Sequence, residues 1–180
     1  IDTKQINNYP DIREKLHVAI GKNTSSMFDE HHRVISGNAT DQALMKFLGE
    51  DSYLKMKEGP SLEIFASQKF NSSNKFSQAQ IGGLTYYKGA PERLLQKADR
   101  YMGTDGQLHP LDLSCINQRI DTLAKKAMRV IAFGYSEEPL QENCISGNLV
   151  LIGLAAIRDD VRPEAHIAIH DVQKAGIQVV

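Results

Sequence analysis

Apolar and polar positions along the first half of the chain predict helices followed by strands. Pro10 suits the first turn of a helix that runs to about Ile20 and carries an apolar stripe. A second helix is expected to begin near Thr40, whose hydroxyl can cap it. Strands are predicted around Ile64–Phe65 and over Leu84–Lys88, which is rich in β-favouring residues.

The second half alternates between helices and strands. Residues Ile116 to Ala127 show the spacing of a long amphipathic helix. Strands are predicted over Val130 to Tyr135 and over the apolar run Leu149–Ile157. A helix from Pro163 to about Ala175 and the start of another strand, Ile177–Val180, complete the pattern.

A change of pattern near Asp159 predicts a domain boundary. Strands dominate the residues before it, whereas the residues after it resemble a β-α-β passage. We therefore expect one domain over residues 1–158 and a segment of a second domain over residues 159–180. The chain opens on Ile1 rather than Met, which we interpret as the mark of a piece of a longer protein.

Composition narrows the class of protein. The chain has 180 residues, a formal net charge of −1 and a pI of about 6.7, which argues against a nucleic-acid binder. Two cysteines, Cys115 and Cys144, are too few for a disulfide framework. The longest apolar run, Leu149 to Ile157, is shorter than the roughly 20 residues that a membrane helix needs. These features predict a soluble intracellular domain.

Two common phosphate-binding motifs are absent from the sequence. Gly21-Lys22 lacks the other residues of a P-loop, and no GxGxxG occurs. His166 and His170 stand four residues apart, but no glutamate lies between them, so we expect solvent-facing histidines rather than metal ligands. The loop pair His31-His32 is given no role.

Four segments of the sequence carry a recognisable pattern: Gly37–Leu44 (GNATDQAL), Phe70–Ser77 (FNSSNKFS), Lys88–Glu92 (KGAPE), and Arg158–Glu164 (RDDVRPE) followed by Lys174–Ile177 (KAGI). In this order they resemble the large cytoplasmic loop of P-type cation-transporting ATPases, with features of the type II, calcium-pump-like branch. The resemblance covers roughly residues 35 to 180. KGAPE alone is moderately specific, whereas four segments in family order are far more specific.

The resemblance implies an α+β fold, with a mainly antiparallel sheet flanked by helices and a short β-α-β passage at the C-terminal end. It also implies an ATP site in which an aromatic ring stacks on adenine and cations reach the phosphates. Both lysines of that site are expected at a pocket edge. The implied ATP-binding residues are Asp41, Phe70, Lys75, Lys88, Gly89 and Arg129, and the implied hinge residues are Asp159 and Arg162.

The resemblance gives individual roles to four of these residues. The Phe70 ring would stack on the base, Asp41 would contact the adenine amino group, and Gly89 would give the base room. Arg129 would reach the ATP phosphates. Ordinary structural explanations stand beside these roles. Phe70 could be a core aromatic, Asp41 could favour a helix N-terminus, and Arg129 could favour a helix C-terminus. The remaining residues could be surface lysines and a turn glycine.

Three positions depart from the family pattern. Ser72 stands where calcium-pump relatives tend to carry arginine, which would leave weaker phosphate contacts. Asn38 replaces an acidic residue that is often present, and Asp160 replaces the proline of the hinge. The implied site therefore holds fewer charges than is usual.

The resemblance also implies a mechanism that these residues alone do not supply. P-type pumps form an aspartyl phosphate within DKTGT, and that sequence does not occur here. We therefore expect no catalytic residue and no ATP hydrolysis in this fragment. The intact pump would use ATP and Mg²⁺. Its phosphorylation, actuator and transmembrane domains would be the partners of this cytoplasmic domain, with a bacterial plasma membrane as the expected location.

Three alternative functions stay open at this point. The chain could be a non-catalytic protein-interaction module that retains the fold. An ATP titration would distinguish such a module from an ATP-binding domain. A soluble aspartate-phosphorylating hydrolase is disfavoured because the nucleophile sequence is missing. A sodium- and potassium-type pump is the alternative to a calcium pump, since ion choice depends on intramembrane residues.

Overall fold

The protein has an α+β fold, as the sequence predicts. Its structure, a computed structural model, describes residues 5–58, 63–158 and 163–178, so the expected hinge residues Asp159 and Arg162 lie outside it. The helices are α1 (Pro10–Gly21), α2 (Ala39–Leu48), α3 (Glu50–Glu58), α4 (Pro91–Leu94), α5 (Leu113–Ala124) and α6 (Pro163–Lys174). The strands are β1 (Met27–Phe28), β2 (Val34–Ile35), β3 (Ile64–Gln68), β4 (Phe76–Ile81), β5 (Leu84–Gly89), β6 (Ala98–Met102), β7 (Leu108–Pro110), β8 (Met128–Ser136) and β9 (Leu149–Arg158).

One seven-stranded sheet organises the described residues. Its order is β3-β4-β5-β8-β9-β6-β7, and a separate two-stranded sheet pairs β1 with β2. Neighbouring strands in the large sheet are antiparallel except β6 and β9, which are parallel. The long strands β8 and β9 therefore lie at the centre, between the β3–β5 group and the β6–β7 hairpin.

The two faces of this sheet bury separate clusters. Alternate residues of a strand point to opposite faces, so Tyr86 and Tyr87 of β5 belong to different clusters. The first face packs against α1, α2 and α3, with Ile20 and Met45 among its most buried residues. The second face packs against α4 and α5, with Leu94 at its centre. We call these the α1–α3 face and the α4–α5 face.

Several helices begin or end at other residues than the sequence predicts. Asn38, not Thr40, caps α2, because its side chain accepts a hydrogen bond from the Asp41 N–H at 2.9 Å. The short helix that begins at Pro91 ends at Leu94, and β6 begins at Ala98. Ala127 lies beyond α5 in the left-handed region, with φ 55°.

The described side chains of the final helix belong to neither buried cluster. α6 forms as predicted, but Ile167 and Ile169 of that helix are exposed. Ile177 and Gln178 form no strand, and the last two residues of the predicted strand lie outside the described range. Among the residues that the structure describes, no helix is long and apolar enough to cross a bilayer.

Candidate functional site

Lys88 lies within the protein rather than at the edge of a pocket, where it was expected. It occupies the penultimate position of β5 and points to the α1–α3 face. Its ammonium donates hydrogen bonds to Oδ1 of Asp41, at 2.6 Å, and to the backbone carbonyl of Asn23. Only 6% of the residue is exposed, so this ion pair is shielded from water.

Asp41 is held from three directions in the first turn of α2. Its Oδ2 accepts hydrogen bonds from the Ser25 N–H at 3.2 Å and from the Ser25 hydroxyl at 2.9 Å, while Oδ1 faces Lys88. The segment that follows α1 is tied to the sheet as well, because the Asn23 side chain donates to the Ser77 carbonyl at 3.1 Å. The carboxylate therefore has a fixed orientation.

Arg129 is linked to the N-terminus of α2, next to this pair, through Thr40. It is an exposed residue near the start of β8, and Nη1 donates to the Thr40 hydroxyl at 2.8 Å. Gly89 pairs with Ala132, so Arg129 lies three residues, or about 10 Å, beyond the end of β5. Its guanidinium is an accessible cation at this end of the sheet.

The β3–β4 loop, residues 69–75, brings the other two predicted residues to the same end. Lys75 directly precedes β4, and its ammonium contacts Oε1 of Glu92 at 3.1 Å in an exposed pair. Its backbone carbonyl accepts a hydrogen bond from the Ala90 N–H at 2.9 Å. Phe70, five positions earlier in the loop, has 54% of its surface exposed. The ring is therefore accessible, unlike a core aromatic.

Gly89 is required by a close backbone approach. A Cβ at this position would lie 2.5 Å from the Lys75 carbonyl oxygen and 2.6 Å from Cβ of Phe76. Such distances are far below van der Waals contact, so any side chain would force β4 and β5 apart. The glycine thereby holds the loop that carries Lys75 against the end of β5.

Burial controls the electrostatics of the pair. Removal from water lowers the pKa of the Lys88 ammonium, although the charge of Asp41 and its hydrogen bond act in the opposite direction. At the exposed pair, partial burial acts to raise the pKa of Glu92. Hydrogen bonds from its own backbone N–H and from Lys75 outweigh that effect, and the pKa is lowered. Of the three predicted cations, Lys75 and Arg129 are exposed and Lys88 is buried.

The structure therefore brings five of the six predicted residues into one series of contacts, running from Arg129 through Thr40, Asp41 and Lys88 to the Gly89–Lys75 approach. Phe70 is connected to it through the loop that it shares with Lys75. Two surface cavities, of about 260 Å³ beside Arg100 and Tyr135 and about 100 Å³ beside Pro10, include none of the six.

Sequence reasoning missed the residues that support this series. Asn23 and Ser25 fix Lys88 and Asp41, yet they lie in a polar segment with no recognisable spacing. Thr40 was predicted only as a helix cap, not as the partner of Arg129. The one available signal was Asn38, whose residue type is typical of an N-cap.

Comparison with known families identifies the family of this chain. The family model described as P-type ATPase, cytoplasmic domain N, matches residues 12–164, which include all six predicted ATP-binding residues. The chain belongs to this family.

Three curated relatives are similar over most of this chain. Calcium-transporting ATPase 1 of Saccharomyces cerevisiae is 27% identical over 185 aligned residues, covering 94% of the chain and 19% of the relative. Probable cation-transporting ATPase F of Mycobacterium tuberculosis is 29% identical, covering 81% of the chain and 17% of the relative. Plasma membrane calcium-transporting ATPase 3 of Homo sapiens is 32% identical, covering 79% of the chain and 13% of the relative. The chain thus spans less than a fifth of each.

Proposed function

We propose that this domain binds ATP at the end of the sheet where β4, β5 and β8 meet the N-terminus of α2. The observation that carries the proposal is the convergence of Asp41, Lys75, Lys88 and Arg129 from four separate parts of the sequence. A nucleotide site needs an apolar face for the base and cations for the phosphates. The exposed Phe70 ring and the exposed cations supply these two requirements.

The residues divide into a base-recognition group and a phosphate group. Phe70 stacks on adenine, and Asp41 accepts a hydrogen bond from the adenine amino group while Lys88 and Ser25 hold its carboxylate in place. Lys75 and Arg129 attract the phosphates, and Lys75 exchanges its Glu92 partner for the ligand. Because only two of the predicted cations are accessible, we expect modest affinity, with much of the discrimination made at the base.

Mg²⁺ is implied for the intact pump. Among the described residues, no three His, Cys, Asp or Glu side chains are grouped so that they could hold a metal ion. We assign the ion no ligand among these residues. Catalysis in the intact protein uses an aspartyl nucleophile that this sequence does not include.

Calorimetric titration of the chain with ATP, ADP and GTP tests the proposal. ATP and ADP should bind with similar affinity and GTP more weakly, because GTP lacks the adenine amino group that Asp41 would recognise. No detectable binding of any nucleotide would reject the proposal and favour a non-catalytic interaction module. The purified chain should also fail to hydrolyse ATP, so a phosphorylated residue mapped within it would contradict the proposed division of labour.

We further propose that the whole protein couples ATP hydrolysis to cation transport, with calcium as the cation. The basis is the family and the names of the yeast and human relatives, both calcium-transporting ATPases. ATPase activity of the full-length protein should then require Ca²⁺. Stimulation by Na⁺ and K⁺ instead would favour the alternative type of pump.

The domain boundary near Asp159 is part of the same proposal. Its support is that the described residues of α6 join neither buried cluster. In hydrogen exchange of the dilute chain, α6 should exchange much faster than β9. Equal protection of the two elements would assign α6 to the core of this domain.

A further inference from the structure

We propose that Asn143 is a positioning residue that holds the β3–β4 loop in its nucleotide-binding conformation. The proposal rests on the proposed ATP site, because that loop carries Phe70 and Lys75. Asn143 itself lies in the β8–β9 loop, residues 137–148, and would act through the other loop rather than touch the ligand.

The β8–β9 loop crosses the α4–α5 face of the sheet instead of joining its two strands directly. Its backbone exchanges hydrogen bonds with side chains of the two neighbouring strands, β5 and β4. These bonds join the Glu138 carbonyl to the Thr85 hydroxyl (2.7 Å), the Leu140 N–H to Gln80 (3.4 Å) and the Gln141 carbonyl to the Gln78 amide (2.7 Å). The loop therefore reaches from the centre of the sheet towards β3, at its edge.

The loop is also anchored beyond Asn143. Ile145 is buried in the α4–α5 cluster, and Ser146 is buried beside the Tyr87 hydroxyl, which donates to its Oγ at 3.0 Å. Asn143 thus lies between two attached stretches. A side chain on such a support can fix a neighbouring loop, because the support has little freedom of its own.

Asn143 contacts both ends of the β3–β4 loop. Its Oδ1 accepts hydrogen bonds from the Gln68 amide at 2.9 Å and from the Asn74 amide at 2.5 Å. Its backbone N–H donates to Oε1 of Gln68 at 2.8 Å. Gln68 is the last residue of β3, two positions before Phe70, and Asn74 directly precedes Lys75. One carboxamide therefore joins the entrance of the loop to its exit.

The exit of the loop needs such support. Lys75 has φ 61°, a left-handed conformation that a lysine adopts at a cost. The turn before it is closed by Asn71, which accepts from the N–H groups of Asn74 and Lys75. Arg93 of α4 holds the Asn74 carbonyl at 3.1 Å from the other side. Without Asn143, one of these two lateral supports would be lost, and binding would have to order the loop.

Three substitutions test this role. Asn143 has φ 59°, so Asn143→Gly keeps the backbone conformation and removes only the carboxamide. Asn148→Gly is the matched control, because Asn148 has φ 57° in the same loop but lies beside Arg100 and Glu138. Asn143→Asp keeps an acceptor oxygen and is the rescue variant. ADP is the probe.

We expect Asn143→Gly to raise the Kd for ADP about three- to tenfold, the range expected from losing ordinary hydrogen bonds. Asn148→Gly and Asn143→Asp should bind like the original chain. In a background lacking the Phe70 ring and the Lys75 charge, Asn143→Gly should change the Kd much less, since it acts through those residues. Unchanged ADP binding by Asn143→Gly, or an equal loss in that background, would overturn the proposal.

Hydrogen exchange without nucleotide separates this proposal from the proposed function. Asn143→Gly should speed exchange at the amides of Asn74 and Lys75, and Asn148→Gly should not. Unchanged exchange would overturn the positioning role even if the chain binds ADP. Failure of the original chain to bind ADP would instead reject the ATP site itself, and the positioning role with it.

Discussion

The two lysines that the sequence assigns to one ATP site occupy opposite physical environments. Lys88 pairs with Asp41 at 2.6 Å, with both side chains less than 10% exposed. Lys75 pairs with Glu92 at 3.1 Å, with 54% and 57% of the two side chains exposed. The first pair is part of the protein interior, whereas the second lies in solvent and can exchange partners.

This difference indicates two separate roles: the buried pair stabilises the structure of the candidate site, and the exposed pair supplies a cation for its ligand. A buried charge without its partner is costly, so Lys88 and Asp41 are bound to each other before any nucleotide arrives. An exposed ion pair contributes little, so Lys75 can release Glu92 for a phosphate at small cost. We therefore interpret Lys88 first as a support for Asp41, and Lys75 as a direct phosphate contact.

The largest expected effect is on the free energy of unfolding. Lys88→Met should lower it by about 3–5 kcal/mol, because Asp41 would keep a buried charge without its cation. Lys75→Met should change it by less than about 1 kcal/mol. Urea denaturation of both variants measures this. The double variant Lys88→Met with Asp41→Asn should recover part of the lost free energy of unfolding. Equally small effects of Lys88→Met and Lys75→Met would show that the two lysines do not differ in this way.

The next effect is on nucleotide affinity and concerns the aromatic ring. Phe70→Ala should weaken ATP binding by about 1–3 kcal/mol if the ring stacks on adenine. The free energy of unfolding of this variant should change little, since the Phe70 side chain is half exposed. Phe65→Ala is the control, because Phe65 is 73% exposed on β3, outside the loop. Calorimetry that shows equal affinity in both variants would exclude Phe70 from the site.

A smaller effect is expected from the exposed cation. Lys75→Met should weaken ATP binding by less than about 1 kcal/mol, because its charge is screened by solvent. That loss should shrink as salt is raised, whereas the effect of Phe70→Ala should not. Lys75→Arg should retain most of the affinity. Titrations at low and high salt would contradict this if the loss were independent of ionic strength.

The smallest effect is a pH dependence of stability. The folded-state pKa of Lys88 is lowered, so between that value and the unfolded value near 10.5 the unfolded chain binds more protons. The free energy of unfolding should therefore rise with pH across this window, relative to the Lys88→Met and Asp41→Asn double variant. Denaturation series from neutral to alkaline pH measure it, and a relative fall would show that the pKa is raised.

Residues whose surroundings are local were predicted well, and those fixed by distant contacts were not. The spacing of apolar residues predicted α1, and the continuous apolar run Leu149–Ile157 predicted β9. Strand β4 was missed because Gln78, although fully buried, is polar; its amide nitrogen donates to Oε1 of Gln68 and to the Gln141 carbonyl. Asn143 had no signal in the sequence, since its partners lie 69 and 75 positions away.

The same contrast between local patterns and distant contacts applies to the candidate site. The resemblance selected Lys88 and Asp41, but nothing in the sequence indicated that they bind each other across 47 positions. Their burial depends on Asn23 and Ser25, which no pattern marked. The expected pocket-edge position of Lys88 was wrong because its ammonium is bound by Asn23 and Asp41 and the residue is buried.

The strand order has a consequence for synthesis on the ribosome. The β6–β7 hairpin is made before β8 and β9, yet it joins the main sheet only by pairing with β9, and β5 joins only through β8. Until Leu149–Arg158 has left the exit tunnel, the nascent chain therefore has two separate groups of strands instead of one sheet, and each group has an edge that lacks its final partner. Such edges favour misassembly. A pause in translation between residues 110 and 149 would therefore lengthen the time in which these strands can pair incorrectly.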